Sequence, residues 1–246
     1  MIFFRKKNIP NISDLKIPNH VAIIMDGNAR WAKAKNLPLK IGHKTGAENL
    51  RKCAENCIEL GIKFLTVYAF SSENWNRPAE EVSYLMDLLD DYLEKESKPL
   101  MEKNIKIVIS GNLEKIRQTT KEKITAVQKL TENNSALTLN VAFSYGSRQE
   151  IVDAAKKLAI ATSEGKISFD QIDEKLFSAN LYRSEIPDPD LLIRTAGDLR
   201  VSNFLLWQIA YTEFYFTKSY WPDFGKKELL AAVESFNQRE RKYGKR

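Results

Sequence analysis

Five apolar, β-rich runs punctuate the chain, at residues 21–25, 63–70, 105–110, 137–144 and 190–194. Stretches with helical spacing separate most of them. A short apolar run bounded by turn residues fits a strand buried on both faces, and alternation of such runs with helical patterns predicts an α/β fold around a mostly parallel central sheet flanked by helices. In such sheets ligands bind beyond the carboxyl ends of the strands. The informative residues are therefore those that follow each run: Asp26 to Trp31, Ser71 to Arg77, and Arg194 to Ser202. No internal repeat and no Gly/Ser-rich linker divides the 246 residues, so one domain over 1–246 is expected, with an N-terminal arm (1–17) and a basic tail (240–246) that are mobile.

The helical stretches have readable faces. Val82, Leu85, Met86, Leu89 and Leu93 form an apolar stripe, which leaves Asp90, Asp91 and Glu94 of "DDYLE" on the opposite, solvated side. That excludes "DDYLE" as the magnesium-holding aspartate box of all-α prenyl-diphosphate synthases. Cys53 and Cys57, the two cysteines, sit four apart beside Leu50, Ala54 and Leu60 and read as buried free thiols on a helix. Residues 112–134 read as a charged, solvated helix, and Pro187 and Pro189 mark a loop over 181–190.

Composition narrows the class. Hydrophobic residues make up 43% and charged residues 28%, which is ordinary for a soluble globular protein, and no apolar run approaches the ~20 residues of a membrane span. "MIFF" followed by "RKK" is too short and wrongly ordered for a secretory signal, so a cytoplasmic protein is expected. Two cysteines and two histidines argue against a dedicated zinc site. The net charge of +6 suits anionic partners. Nucleic acid is not among those expected, because the conspicuous arginines lie at strand ends beside acidic residues rather than along one face with aromatics.

The strand-end segments carry the chemistry. In "IIMDGNARW" a strand passes through a glycine turn into a helix N-terminus, whose free N–H groups favour an anion. Asp26 would repel that anion unless a divalent cation lay between them. In "FSSENWNRP" a tryptophan stands among six polar groups, as an indole kept for binding or for packing over a site does. In "LIRTAGDLRVSNF", Arg194 and Arg200 need anionic partners, either phosphate or a carboxylate such as Asp198. Glu213 reads as a strand-surface carboxylate or as a second metal ligand.

Taken in order, "HVAIIMDGNARWAK", "GHKTGAENL", "LTVYAFSSENWNRPAEEV", "SYGSRQEI", "LLIRTAGDLRVSNFLLWQIAYTEFYF" and "WPDF" closely resemble the cis-prenyltransferases, over about residues 18–243. The resemblance implies that family's fold, with an apolar tunnel, and a transferase that condenses isopentenyl diphosphate onto an allylic diphosphate with Mg²⁺ as cofactor. Farnesyl diphosphate is the expected primer. Undecaprenyl diphosphate, the precursor of the lipid carrier for cell-wall polysaccharides, is the expected product. Another product length, or a non-catalytic accessory subunit, are the alternatives.

By the same resemblance, Gly27, Asn28, Ala29 and Arg30 would cradle the allylic diphosphate and Asp26 would hold Mg²⁺, with Glu213 reaching the site near a homodimer interface. Arg194, Arg200, Val201 and Ser202 would bind isopentenyl diphosphate. Arg77, Ser72 and Glu73 would help orient the diphosphates, and Asn74, with Ser71 and His43, would serve the departing proton. Trp31, Phe70 and Trp75 would shape the pocket, while Val82, Leu85, Met86, Leu89, Ile109, Leu137, Leu139 and Val141 would supply tunnel walls. Peripheral contact with the inner face of a membrane is implied by the apolar product and basic ends. Ala29, Asn36 and Leu39 depart from the family pattern, which usually has glycine, glycine and a phosphate-contacting arginine there. Ala29 is tolerable only at negative φ.

Overall fold

The computed structural model describes residues 15–239. Six parallel strands, β1 (His20–Ile24), β2 (Phe64–Ser71), β3 (Ile105–Ser110), β4 (Leu137–Tyr145), β5 (Leu191–Arg194) and β6 (Glu213–Phe216), form one sheet in the order β3-β4-β2-β1-β5-β6. β1 is buried along its whole length because both faces are covered, which is why it reads as an unbroken apolar run. Val21, Ile23, Leu65 and Val67 point to one side, where they meet α2 (Leu39–Leu60), α3 (Ala79–Glu102), α4 (Gln118–Leu130) and α7 (Lys226–Asn237). Ala22, Ile24, Tyr68 and Leu192 point to the other, against Phe204, Leu205 and Ile209. The helix α5 (Ser147–Ser163) follows β4, and α6 (Glu174–Ala179) follows a short 3-10 turn.

Five of the strands are those the apolar runs predict. β6 is the addition: an edge strand only half buried, whose Glu213 to Phe216 lack a fully apolar signature. The "DDYLE" segment lies on α3, whose buried positions are Met86, Leu89, Leu93, Ser97 and Leu100. Asp91 and Glu94 are exposed as expected, but Asp90 is only partly so. It flanks α4, 3.9 Å from Lys123 Nζ, which also pairs with Glu94. Cys53 and Cys57 are buried free thiols on α2. The arm and tail expected over 1–17 and 240–246 fall mostly outside the described residues; within them, Lys16 exchanges two hydrogen bonds with the Asn237 side chain.

After β4 the chain crosses the sheet, so that β5 lies on the side of β1 opposite β2. β2, β1 and β5 are thus adjacent, and their carboxyl ends open on one crevice at the point where strand order reverses. Asp26, Ser71 and Arg194 stand at these three ends.

Candidate active site

The turn after β1 demands glycine on two counts. Gly27 has φ +104, and a Cβ there would lie 2.7 Å from the Tyr220 ring and 2.8 Å from Ala196 Cβ. From it springs α1 (Asn28–Ala34), which also gives Ala29 its negative φ. α2 then presses its glycine edge onto the turn: a Cβ at Gly42 would lie 2.3 Å from the Asn28 carbonyl oxygen, and one at Gly46 2.4 Å from Asn28 Oδ1. Asn28 Oδ1 is buried there and has no hydrogen-bond donor.

Arg194 rises from β5 into the crevice with its side chain 4% exposed. Its Nη2 meets Asp26 Oδ2 at 2.9 Å, and its Nη1 donates to Ser202 Oγ at 2.8 Å and to the Arg200 carbonyl. Arg30 Nη2 lies 3.0 Å from both Asp26 Oδ1 and Asp198 Oδ2. Arg200 Nη1 lies 3.1 Å from Asp198 Oδ1, and hydrogen bonding from Arg200 holds that carboxyl below its usual range. Three guanidinium groups therefore share two carboxylates. A buried guanidinium must be paired, and here the pairing leaves surplus donors: Arg194 Nε is buried without an acceptor, and Arg200 is 61% exposed. The loop carrying them is wound tightly, with Ala196, Ser202, Asn203 and Leu205 at φ 69, 47, 63 and 50. Non-glycine residues persist in that region only where their surroundings hold them.

Beyond β2 the chain enters a 3-10 turn, Ser72–Asn76, in which Asn74 Oδ1 accepts the Ser71 N–H at 3.0 Å. Arg77 pairs with Glu81 at 2.8 Å, and His43 Nε2 lies 3.7 Å from the same carboxylate. Burial pushes His43 below its ordinary value despite the pull of Glu81, so it is neutral near pH 7 and able to take a proton. Trp75 donates from Nε1 to Ser144 Oγ at 3.0 Å and sets its ring edge-on to Phe70, which makes it packing over the strand ends.

These groups enclose a cleft of about 540 Å³. Asp26, Asn28, His43, Phe70, Ser71, Glu73, Asn74, Arg77, Arg194, Arg200 and Ser202 line it. Gly27, Ala29, Arg30, Trp31, Ser72, Trp75 and Val201 are adjacent in sequence but do not line the cleft, although Arg30 reaches Asp26. Trp31 is buried, and Lys35 Nζ covers its ring at 4.3 Å. Through Met25, Asn28, His43, Ala69, Phe70 and Leu85 the cleft shares a wall with an apolar cavity of about 100 Å³ between α2, α3 and the sheet. Leu85, Leu89, Ile109 and Val141 line that cavity as expected of tunnel walls; Val82, Met86, Leu137 and Leu139 do not and belong to the core. Sequence reasoning missed the α2 side, Gly46, Ala47 and Leu50. The signal was available, because glycine inside a helical pattern often marks a close approach.

Glu213 stands apart from this group. It pairs in register with Leu191, at the amino end of β5, three residues before Arg194, and Arg239 Nη1 lies 2.8 Å from its Oε2. Within one protomer it does not meet Asp26. Among the described residues no three metal-ligating side chains gather. Asp26, partly exposed in a cleft rich in anion-binding donors, nevertheless fits Mg²⁺, which is held by one or two carboxylates and completed by substrate phosphates and water.

A sequence model of the family described as "Putative undecaprenyl diphosphate synthase" matches residues 24–244. The chain is 50% identical over 229 residues to an isoprenyl transferase of Heliobacterium mobile, covering 93% of this chain and 88% of that one. It is 46% identical over 228 residues to a farnesyl-diphosphate-specific ditrans,polycis-undecaprenyl-diphosphate synthase of Aliivibrio fischeri, covering 93% and 89%. Among solved structures, lavandulyl diphosphate synthase from Lavandula x intermedia, in complex with dimethylallyl diphosphate, superposes with TM-score 0.90 at 39% identity over 93% of this chain and 98% of that one. A "probable undecaprenyl diphosphate synthase" from Campylobacter jejuni gives TM-score 0.78 at 34% identity over 94% and 100%.

Proposed function

The chain belongs to the undecaprenyl diphosphate synthase family of prenyltransferases, and we propose that it condenses isopentenyl diphosphate repeatedly onto farnesyl diphosphate to give undecaprenyl diphosphate. The observation that carries this reading is the shared wall between a guanidinium-rich cleft and an apolar cavity, because the substrates and product join a diphosphate to a hydrocarbon. The lavandulyl relative shows that this fold also serves another prenyl product, so product length is the part most in need of measurement.

The donors of the α1 turn, Arg30 and Arg77 bind the allylic diphosphate. Arg194, Arg200 and Ser202 bind isopentenyl diphosphate, their surplus donors taking up phosphate oxygens where carboxylates now hold them in place. Asp26 would hold Mg²⁺, which would supply charge neutralisation for two polyanions and for the pyrophosphate leaving group. As the allylic C–O bond breaks, its electrons leave with pyrophosphate, and the isopentenyl double bond attacks the cationic carbon. The proton then lost passes to neutral His43, near Asn74 and Ser71, or to the departing pyrophosphate; an amide is too weak a base to hold it.

Three further properties go with this reading. A homodimer would bring Glu213 from a second copy, and β6, which carries it, is a sheet edge. The protein is cytoplasmic with peripheral membrane contact: Leu37, Leu39 and Ile41 are exposed beside Lys33, Lys35 and Lys40, and positions 27–47 contain no acidic residue. Among the described residues no helix is long and apolar enough to cross a membrane. The test is incubation of purified protein with farnesyl diphosphate, radiolabelled isopentenyl diphosphate and Mg²⁺, with and without EDTA, followed by chromatographic sizing. Metal-dependent product of undecaprenyl length is expected. Shorter or longer product replaces the length assignment, and no incorporation by folded protein replaces the enzyme with an accessory subunit.

A further inference from the structure

Asn203 follows Ser202, the partner of Arg194, and lines the same cleft. Its backbone carbonyl accepts the Ser147 N–H at 2.9 Å, and its Oδ1 accepts the Arg148 N–H at 2.9 Å, so it satisfies the first turn of α5 from a distant loop. These two bonds hold Asn203 at φ 63, a conformation asparagine tolerates better than most residues. The third bond reaches across the cleft, where Nδ2 donates to Glu73 Oε1 at 2.8 Å, joining residues 130 apart. Burial alone would raise the Glu73 carboxyl; the Asn203 amide, with the local serines and backbone, holds it below its ordinary range and therefore ionised near neutral pH.

The junction is built for close approach. Gly146 precedes α5, and a Cβ there would lie 2.3 Å from Ser72 Oγ and 2.9 Å from Asn203 Nδ2. Any larger residue would push the Ser72–Asn76 turn and the Arg200–Asn203 loop apart. One amide thus ties together the strand end that carries Ser71, Asn74 and Arg77 and the loop that carries Arg200 and Ser202.

We propose that Asn203 is a positioning residue: its amide, clamped on Glu73 and anchored on α5, sets the spacing between the two diphosphate-binding halves of the cleft. This rests on the prenyltransferase reading given above. A small error in that spacing misaligns the reacting carbons, and misplacements of ~1 Å can cost up to roughly 100-fold in rate.

The chemistry of the pair supplies the test. Asn203→Asp keeps the acceptor for Arg148 N–H but sets a second carboxylate against Glu73. Glu73→Gln keeps an acceptor for Asn203. The double variant Asn203→Asp/Glu73→Gln restores a donor–acceptor pair with direction reversed. Steady-state kinetics with farnesyl and isopentenyl diphosphates, alongside thermal melting, are expected to show KM for isopentenyl diphosphate raised about tenfold in Asn203→Asp, raised less than that in Glu73→Gln, and in the double variant brought back from the Asn203→Asp value to that of Glu73→Gln. A loss of folded protein lowers the apparent kcat without moving KM, so the KM pattern separates positioning from stability. An unchanged KM in Asn203→Asp, or a raised KM that Glu73→Gln does not relieve, overturns the clamp while wild-type turnover leaves the parent reading intact. No turnover by folded wild-type protein overturns both.

Discussion

Two polar networks, an upper one at the carboxyl ends of the strands and a lower one along a face of the same sheet, differ in what they leave open. At the carboxyl ends, Arg30, Arg194 and Arg200 share Asp26 and Asp198 and retain unused donors in a wide cleft. On the sheet face that carries Ala22 and Tyr68, His20, Thr66, Asn140 and Ser110 form one chain, and Tyr145, Glu150, Gln208 and Tyr182 another, around a polar cavity of about 70 Å³. Burial there pushes Glu150 up and His20 down to about 4. Perturbed ionisation by itself does not tell the two networks apart, because Asp198 of the upper one is shifted as well. Most of the lower network is spent on internal partners, so burial makes it a fastener; the upper one has partners it can exchange for phosphate.

The contrast fails most visibly if Asp26 is dispensable. Asp26→Ala is expected to reduce turnover by about 10³-fold or more while melting stays close to wild type, as activity assays and calorimetry on one preparation would show. Arg194→Ala comes next, with kcat/KM reduced roughly 100-fold and, because it removes the buried one of Asp26's two guanidinium partners, about 1–3 kcal/mol of stability lost in urea titration. On the lower network the pattern inverts. Glu150→Ala leaves Tyr145 and the Tyr182 N–H without their acceptor and is expected to cost about 2–4 kcal/mol, with kcat/KM of the folded enzyme within about twofold of wild type.

His20 extends that contrast to pH. Its Nδ1 donates to the Pro187 carbonyl at 2.6 Å and its Nε2 accepts from Thr66 Oγ1 at 2.8 Å, which fixes the neutral ring. With its folded value near 4 and its unfolded value near 6.5, the unfolded chain binds the proton more tightly. The contribution is whole above pH 6.5 and declines as pH falls towards 4, by up to about 3 kcal/mol. His20→Gln should flatten that part of the stability profile, and an unchanged slope would remove His20 as its source. The smallest effect is a gain: Ala196→Gly relieves the left-handed φ of 69 and should stabilise by about 1 kcal/mol in the same titration.

Much of this was legible in the chain because burial on two faces writes strands as apolar runs. β6 escaped because an edge strand is half buried and its residues follow no such rule. Asp26, Ser71 and Arg194 could be nominated from sequence because chemistry concentrates at strand ends; that they converge depends on the crossover after β4, which no local pattern records. The same limit explains Glu213, whose register places it at the far end of the sheet. Asn203 was visible only as a polar residue after Ser202, since its value lies in a bond across 130 residues.

Gly42 and Gly46 bring α2 so near the Asn28 turn that the helix and the turn cannot shift independently. That same helix lines the apolar cavity together with α3, whose first turn meets the head-group site through Glu81, the partner of Arg77 and neighbour of His43. Head and tail of a prenyl chain are thus read by a single lever along α2, whereas α3 touches the head-group site only at its first turn. Redesign of product length therefore belongs on the part of α3 remote from Glu81: bulk added at Ala47 or Leu50 is transmitted to the grip on the diphosphate, whereas bulk added at Leu89, about two turns beyond Glu81, changes room for hydrocarbon.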